Sequence, residues 1–237
     1  MGILTRNYFL LRKLHQLTGV MPLGVYLIVH LLVNSYAMQG ESAFMEKVHL
    51  LETMPFLPVV EFTLIWAPLI YHSLFGIYVG WIAKNNPLRY GYARNWNFAL
   101  QRWTGFFMLI FVFQHGLSQR FFLGPVETEA FNNVAQSIAS PIGYAFFLLG
   151  ILATTYHFAN GLWEFCIDWG FTVSMRSQYV MGVISILVFL ALTTVGFFAL
   201  NAFRPGAVAA QNSISQAQVA PAPLEAPAIQ EGITHGR

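Results

Sequence analysis

Five long apolar runs, at about 17–37, 57–83, 103–123, 141–165 and 178–203, decide what this 237-residue chain can fold into. About 20 apolar residues in helical form cross the hydrocarbon core of a bilayer, and each run has that length. The chain therefore reads as an all-α membrane protein with five transmembrane helices. Only 9% of its residues are charged and 56% are hydrophobic, whereas a soluble domain carries about a quarter charged residues. The connections are polar. Met38 to Pro55 holds Glu41, Glu46, Lys47 and Glu52, and Lys84 to Arg102 holds Asn85-Asn86-Pro87. Gly124 to Ser140 holds Glu127 and Glu129, and Cys166 to Ser177 holds Asp168 and Arg176. Residues 1–203 form the membrane domain. Residues 204–237 mix Ala, Pro, Gln and Ser without an aromatic residue, a composition that cannot bury a core and reads as a disordered tail.

The apolar stretch after Arg6, Arg12 and Lys13 runs on to about Tyr36 with no small-residue cleavage site, so a cleavable signal is not expected. Basic residues near span ends set orientation. One side collects Arg6, Arg12, Lys13, Lys84, Arg89, Arg94, Arg102 and Arg176, and the other Lys47, Arg120, Arg204 and Arg237. Eight against four predicts a multi-pass membrane protein with its N-terminus in the cytoplasm and its C-terminus outside. A net charge of +2 gives no nucleic-acid signature. The single cysteine, Cys166, excludes a disulfide framework, a cysteine-ligated cluster and a covalent haem c site.

Histidine is costly inside a membrane and marks function there. His30, His72, His115 and His157 each lie in a different apolar run, and 85 residues separate His30 from His115 and His72 from His157. A helical rise of about 1.5 Å per residue turns position into depth. His30 and His115 fall roughly 10–12 Å below the outer surface, His72 and His157 roughly 22–24 Å. Two layers of two imidazoles on facing helices are what two stacked b-type haems need. Gly76 and Gly161 lie one turn after the inner pair; Gly19 and Gly105 precede the outer pair by about three turns, where they offer clearance for the inner haem. His15, near Arg12 and Lys13, is a candidate propionate partner or a plain interfacial histidine. Arg12, Lys13, Arg94 and Arg102 are further propionate candidates, since Arg suits carboxylates, or residues that only set topology. His49 and His235 read as solvated.

Several segments carry a family resemblance: Leu14-His15-Gln16-Leu17-Thr18-Gly19-Val20, Val29-His30-Leu31, Tyr71-His72-Ser73, Ala83-Lys84-Asn85-Asn86, Arg94-Asn95-Trp96, Leu100-Gln101-Arg102-Trp103-Thr104-Gly105, Phe158-Ala159-Asn160-Gly161-Leu162-Trp163 and Val173-Ser174-Met175-Arg176-Ser177-Gln178. Over about residues 5–203 the chain closely resembles the diheme cytochrome b subunit of succinate dehydrogenases and fumarate reductases, in the single-anchor type found in Gram-positive and related bacteria, which implies the bacterial cytoplasmic membrane. The resemblance implies an anchor for a flavoprotein subunit carrying FAD and an iron–sulfur subunit. It implies electrons passing from succinate through the inner and then the outer haem b to quinone, usually menaquinone. It places the axial ligands at His30, His72, His115 and His157. The inner, higher-potential haem matches His72/His157 and the outer, lower-potential one His30/His115.

Some fumarate-reducing relatives carry a glutamate two residues before the fourth-span ligand. Thr155 stands there, so that proton path is not expected. Quinone candidates on the outer side are Asn34, Glu61, Gln119 and Arg120, with Tyr36 a further one; Glu61 equally reads as an interfacial acid. Two other readings stay open: a diheme anchor of a formate dehydrogenase or hydrogenase, and a haem-free transporter using histidines as a proton relay. The order of ligands along the spans speaks against the first, and the lack of carboxylates at span centres against the second.

Overall fold

The computed structural model describes residues 7–204 and Gly206, and every regular element among them is helical. Span one covers Tyr8–Gln39, as helix Tyr8–Val20, helix Pro22–Ser35 and a 3-10 turn Tyr36–Gln39. It breaks at Met21 because Pro22 has no N–H to continue the ladder. Span two covers Leu57–Ile82, with a π-helical turn, Phe62–Trp66, just ahead of Pro68. The missing N–H and the ring's clash with the carbonyl four residues back open the helix there. Span three is Ala93–Leu117, prolonged by a π-helical turn, Ser118–Phe122. Span four is Pro141–Asp168, capped by the Ser140 hydroxyl, which accepts the Gly143 N–H at 3.0 Å. Span five is Met175–Ala202, started by a capping box between Ser174 and Ser177.

Spans one, two, four and five are long and apolar enough by themselves to cross a membrane. Span three is more polar, yet its two ends reach the two ends of its neighbours. Arg94 donates to Gln178 at the start of span five (3.0 Å), whereas Arg120 reaches Glu61 at the start of span two and Glu52 just before it. The protein is thus a multi-pass helical membrane protein. Spans one to four pack in a ring, one against two and four, and three against two and four; span five lies outside against four and one.

A ladder of polar contacts holds span five to span four. Trp163 Nε1 donates to the Gln178 carbonyl (2.9 Å), Ser185 to the Ala159 carbonyl (2.5 Å), and Tyr144 to Asn201 (3.2 Å), while Thr155 and Thr193 share a bond of 2.7 Å. Such bonds between membrane helices contribute about 0.6 kcal/mol each on average. Small residues let the backbones approach: a Cβ on Gly196 would lie 2.8 Å from Ile151 of span four and 3.4 Å from Leu31 of span one.

Two of the connections expected as polar loops contain helices, Glu41–Glu52 and Val126–Ser137. They are amphipathic. Phe44 and Val48 of the first and Phe131 of the second are buried with Phe203 and Phe147 in one cluster at this end of the bundle, and burying one such side chain contributes about 1.5–3 kcal/mol. His49, expected to be solvated, is exposed on the first of these helices. The disordered tail expected over 204–237 lies outside the described residues apart from Arg204 and Gly206, and His235 and Arg237 lie outside them entirely.

Candidate functional site

The ring of four spans brings the four membrane histidines together two by two. His72 and His157 face each other with ring centroids 6.2 Å apart and planes at 77°. His30 and His115 do the same at 5.8 Å and 76°. Metal–imidazole bonds run about 2.0–2.1 Å, so two Nε2 atoms sharing one metal stand about 4 Å apart and their ring centroids about 6 Å apart. Both pairs have that spacing. Among the described residues no three His, Cys, Asp or Glu side chains converge. Each pair therefore supplies two donors only, as suits a metal whose other ligands belong to a macrocycle.

The His72 and His157 rings are tied down at Nδ1. His72 Nδ1 donates to the His15 carbonyl (2.9 Å), and His157 Nδ1 to the Gln101 carbonyl (3.0 Å). A proton held at Nδ1 leaves Nε2 as the free lone pair, and the outer bond fixes ring direction in the manner usual for ligating histidines. Glycines stand where these rings lie. A Cβ on Gly19 would be 2.5 Å from His72 Cε1, and one on Gly105 would be 3.1 Å from His157 Cε1. Gly24 leaves room for the Phe158 ring and Gly80 for Phe106. Gly76 borders His15 and Gly161 borders Gln101. The His30/His115 pair is held more loosely: Asn34 donates to the His30 carbonyl (2.8 Å) and stands 3.4 Å from His30 Nε2, while His115 Nδ1 is buried with no hydrogen-bond partner among the described residues.

At the end of the bundle near His72 and His157, the propionate candidates divide. His15 stacks on His72 at 4.0 Å, and its Nδ1 is buried and has no hydrogen-bond partner among the described residues. Arg102 donates to the Phe98 carbonyl (2.6 Å) and lies over the Phe98 ring, but its Nε is likewise buried and unpartnered. These two have polar atoms left for a bound carboxylate. Arg12 is paired with Asp168 (2.6 Å), which also takes Gln16 (2.5 Å), and Lys13 donates to the Asp168 carbonyl. Arg94 is turned to Gln178 and the Trp163 ring, toward span five. Sequence reasoning missed a polar chain here: Asn160 donates to Gln101 (2.9 Å) and to Glu164 (3.1 Å), and Gln101 donates to the His157 carbonyl (3.1 Å). The signal for it lay in the i, i+4 spacing of Asn160 and Glu164, which puts both on the face of His157.

At the opposite end, Arg120 sits on the π-helical turn and bridges two acids, Glu52 (3.1 and 3.3 Å) and Glu61 (3.2 Å). All three side chains are mostly buried, 25%, 15% and 21% exposed. Glu61 is thus an ion-paired acid, and Glu52 joins it as a residue not singled out from sequence. Gln119 points elsewhere, donating to Ser137 at 2.9 Å. The Tyr36 ring carries the Lys47 ammonium at 5.1 Å. Thr155 is buried against Thr193 of span five, and its hydroxyl also donates to the Ile151 carbonyl at 2.8 Å. It therefore faces away from the paired imidazoles.

Comparison with known proteins gives a consistent picture. Residues 89–196 match the family model described as the succinate dehydrogenase/fumarate reductase transmembrane subunit. The chain is 42% identical over 195 residues to the succinate dehydrogenase cytochrome b558 subunit of Bacillus subtilis (strain 168), covering 82% of this chain and 96% of that protein.

Proposed function

The chain belongs to the family of succinate dehydrogenase and fumarate reductase transmembrane subunits, and on that premise we propose that it carries electrons between an iron–sulfur subunit and membrane quinone through two haems b. The observation that carries the proposal is the pair of imidazole pairs, each at the centroid spacing of two ligands on one metal. His72 and His157 would hold the inner haem iron, and His30 and His115 the outer. Haem iron, when bound, supplies a one-electron carrier in each layer. The residues do the rest. The His15 and Gln101 carbonyls orient the inner imidazoles. His15 and Arg102 offer their unpartnered nitrogens to propionates. The apolar bundle keeps water from the rings.

The N-terminal, arginine-rich end faces the cytoplasm in this reading, and there the subunit anchors a flavoprotein with FAD and its iron–sulfur partner. Quinone, menaquinone by family resemblance, docks at the opposite end near His30, where Asn34 and the Glu52–Arg120–Glu61 cluster supply polar and proton-bearing groups. Electrons from succinate then move outward, toward the positive side of an energised membrane, and the field assists them by about 2.3 kcal/mol per charge per 100 mV. Thr155, buried between spans four and five, supplies no carboxylate to offset that movement with a proton.

The test is co-purification with the partner subunits followed by redox titration. Two b-type components reducible by succinate and reoxidised by a quinone analogue are expected. A complex without haem absorbance, or haems that succinate cannot reduce, would overturn the proposal.

A further inference from the structure

The inner imidazoles rest on two copies of one short helical segment. Leu14, Thr18 and Gly19 of span one correspond to Leu100, Thr104 and Gly105 of span three, each pair separated by 86 residues. The first segment receives His72 and the second His157. In both, the carbonyl four residues before the glycine accepts the ring Nδ1–H, His15 at 2.9 Å and Gln101 at 3.0 Å. In both, the ring's Cε1 edge lies where the glycine's Cβ would be. The threonine hydroxyls lie on the same turn: Thr18 donates to the His15 carbonyl at 2.9 Å, while Thr104 donates to the Leu100 carbonyl at 2.7 Å, with the Gln101 carbonyl at 3.2 Å and His157 Nδ1 at 3.3 Å.

We propose that these Leu-x-x-x-Thr-Gly segments are twin sockets that set the orientation of the inner imidazoles, with Gly19 and Gly105 as positioning residues. The second torsion of a histidine is broad and only weakly constrained by itself. A hydrogen bond at Nδ1 and the close approach of the glycine at the adjacent Cε1 fix it, with the partner ring's centroid 6.2 Å away. Gly19 is required because a Cβ there would lie 2.5 Å from the ring, and Gly105 gives the second ring an approach that a Cβ at 3.1 Å would tighten. The sockets belong to the inner pair alone: no described glycine has its nearest atoms on His30 or His115, and His115 Nδ1 has no hydrogen-bond partner among the described residues. The glycines seat the ligand rings themselves, a tighter role than clearance for a macrocycle.

The inference rests on His72 and His157 holding the inner haem, and it makes a graded prediction. At Gly19 the added methyl would stand 2.5 Å from a ring tethered through Nδ1, so the ring must move. At Gly105 the distance is 3.1 Å, and a shift of a few tenths of an ångström suffices. Gly182, whose Cβ would meet Trp163 at an ordinary 3.5 Å, is the control.

Gly19→Ala, Gly105→Ala and Gly182→Ala are made in the complete membrane complex. Haem per chain, reduced-minus-oxidised spectra and redox titrations are recorded, with the inner component identified as the one lost in His72→Ala. Expected results are loss or a large potential shift of that component in Gly19→Ala, a smaller shift of the same component in Gly105→Ala, and no change in Gly182→Ala, with the outer component constant throughout. If Gly19→Ala does not assemble, Gly105→Ala decides alone. An unmoved inner component in Gly105→Ala, or equal movement of both components, would overturn the socket assignment. Absence of two b-type components in the unaltered complex would instead overturn the haem reading beneath it.

Discussion

Replacing Arg120 by Gln should unbalance the end of the bundle where quinone is proposed to bind. Arg120 lies within 3.1–3.3 Å of carboxylate oxygens on Glu52 and Glu61. At an effective dielectric of about 20, each contact is worth roughly 4 kcal/mol of gross attraction. Desolvation cancels most of that, but removing one partner of a largely buried cluster leaves charge uncompensated, which costs about 3–5 kcal/mol for full burial. With side chains 15–25% exposed, about 2–3 kcal/mol of destabilisation is expected. Two acids then share the space of one cation, so Glu61→Gln in the same background should restore about 1 kcal/mol, within the usual range of coupling between contacting residues. The assay is thermal unfolding of the detergent-solubilised complex, followed by loss of the haem absorbance. Succinate-driven reduction of a quinone analogue is measured beside reduction of a dye that takes electrons before the membrane subunit. The quinone rate should fall about tenfold or more, equivalent to about 1.4 kcal/mol, with the dye rate unchanged. An Arg120→Gln complex of unaltered stability and quinone rate would refute the reasoning, as would a double variant whose losses simply add.

Further predictions concern span five, the paired rings and the membrane field. Thr193→Val removes the partner of buried Thr155 and should cost about 0.6–1.7 kcal/mol in thermal unfolding without altering either haem spectrum; a spectral change would show that span five reaches the haem layers. Ring planes near perpendicular in both pairs, at 76° and 77°, call for strongly anisotropic low-spin ferric signals in electron paramagnetic resonance, and ordinary rhombic signals would contradict them. In proteoliposomes, turnover with a menaquinone analogue should respond to uncouplers, because no carboxylate at position 155 offsets outward charge movement; indifference would remove that argument.

The spans were legible because hydrocarbon imposes a length on every crossing helix, and the histidines because an imidazole in such a run is conspicuous. Helical rise alone sorted them into the pairs that face each other in the structure. Less legible were features set by neighbours rather than by periodicity. The helices Glu41–Glu52 and Val126–Ser137 looked like polar loops because only Phe44, Val48 and Phe131 mark their buried side. Arg12 and Arg94 looked equivalent to Arg102 in sequence, yet Asp168 takes the first and Gln178 the second. Gln119 lies beside Arg120 but bonds Ser137 across the π-helical turn. The repeat of Leu, Thr and Gly at 14, 18 and 19 and at 100, 104 and 105 stood in the sequence, but its meaning depended on which ring would land on it.

The most direct test of the account is haem stoichiometry with its dependence on single ligands. The purified complex should hold two haems b per copy of this chain by dithionite-reduced-minus-oxidised spectra. His157→Ala should lose the inner component, and His49→Ala, on a surface helix outside the bundle, should keep both. One haem or none per chain, or two haems retained in His157→Ala, would contradict the central claim.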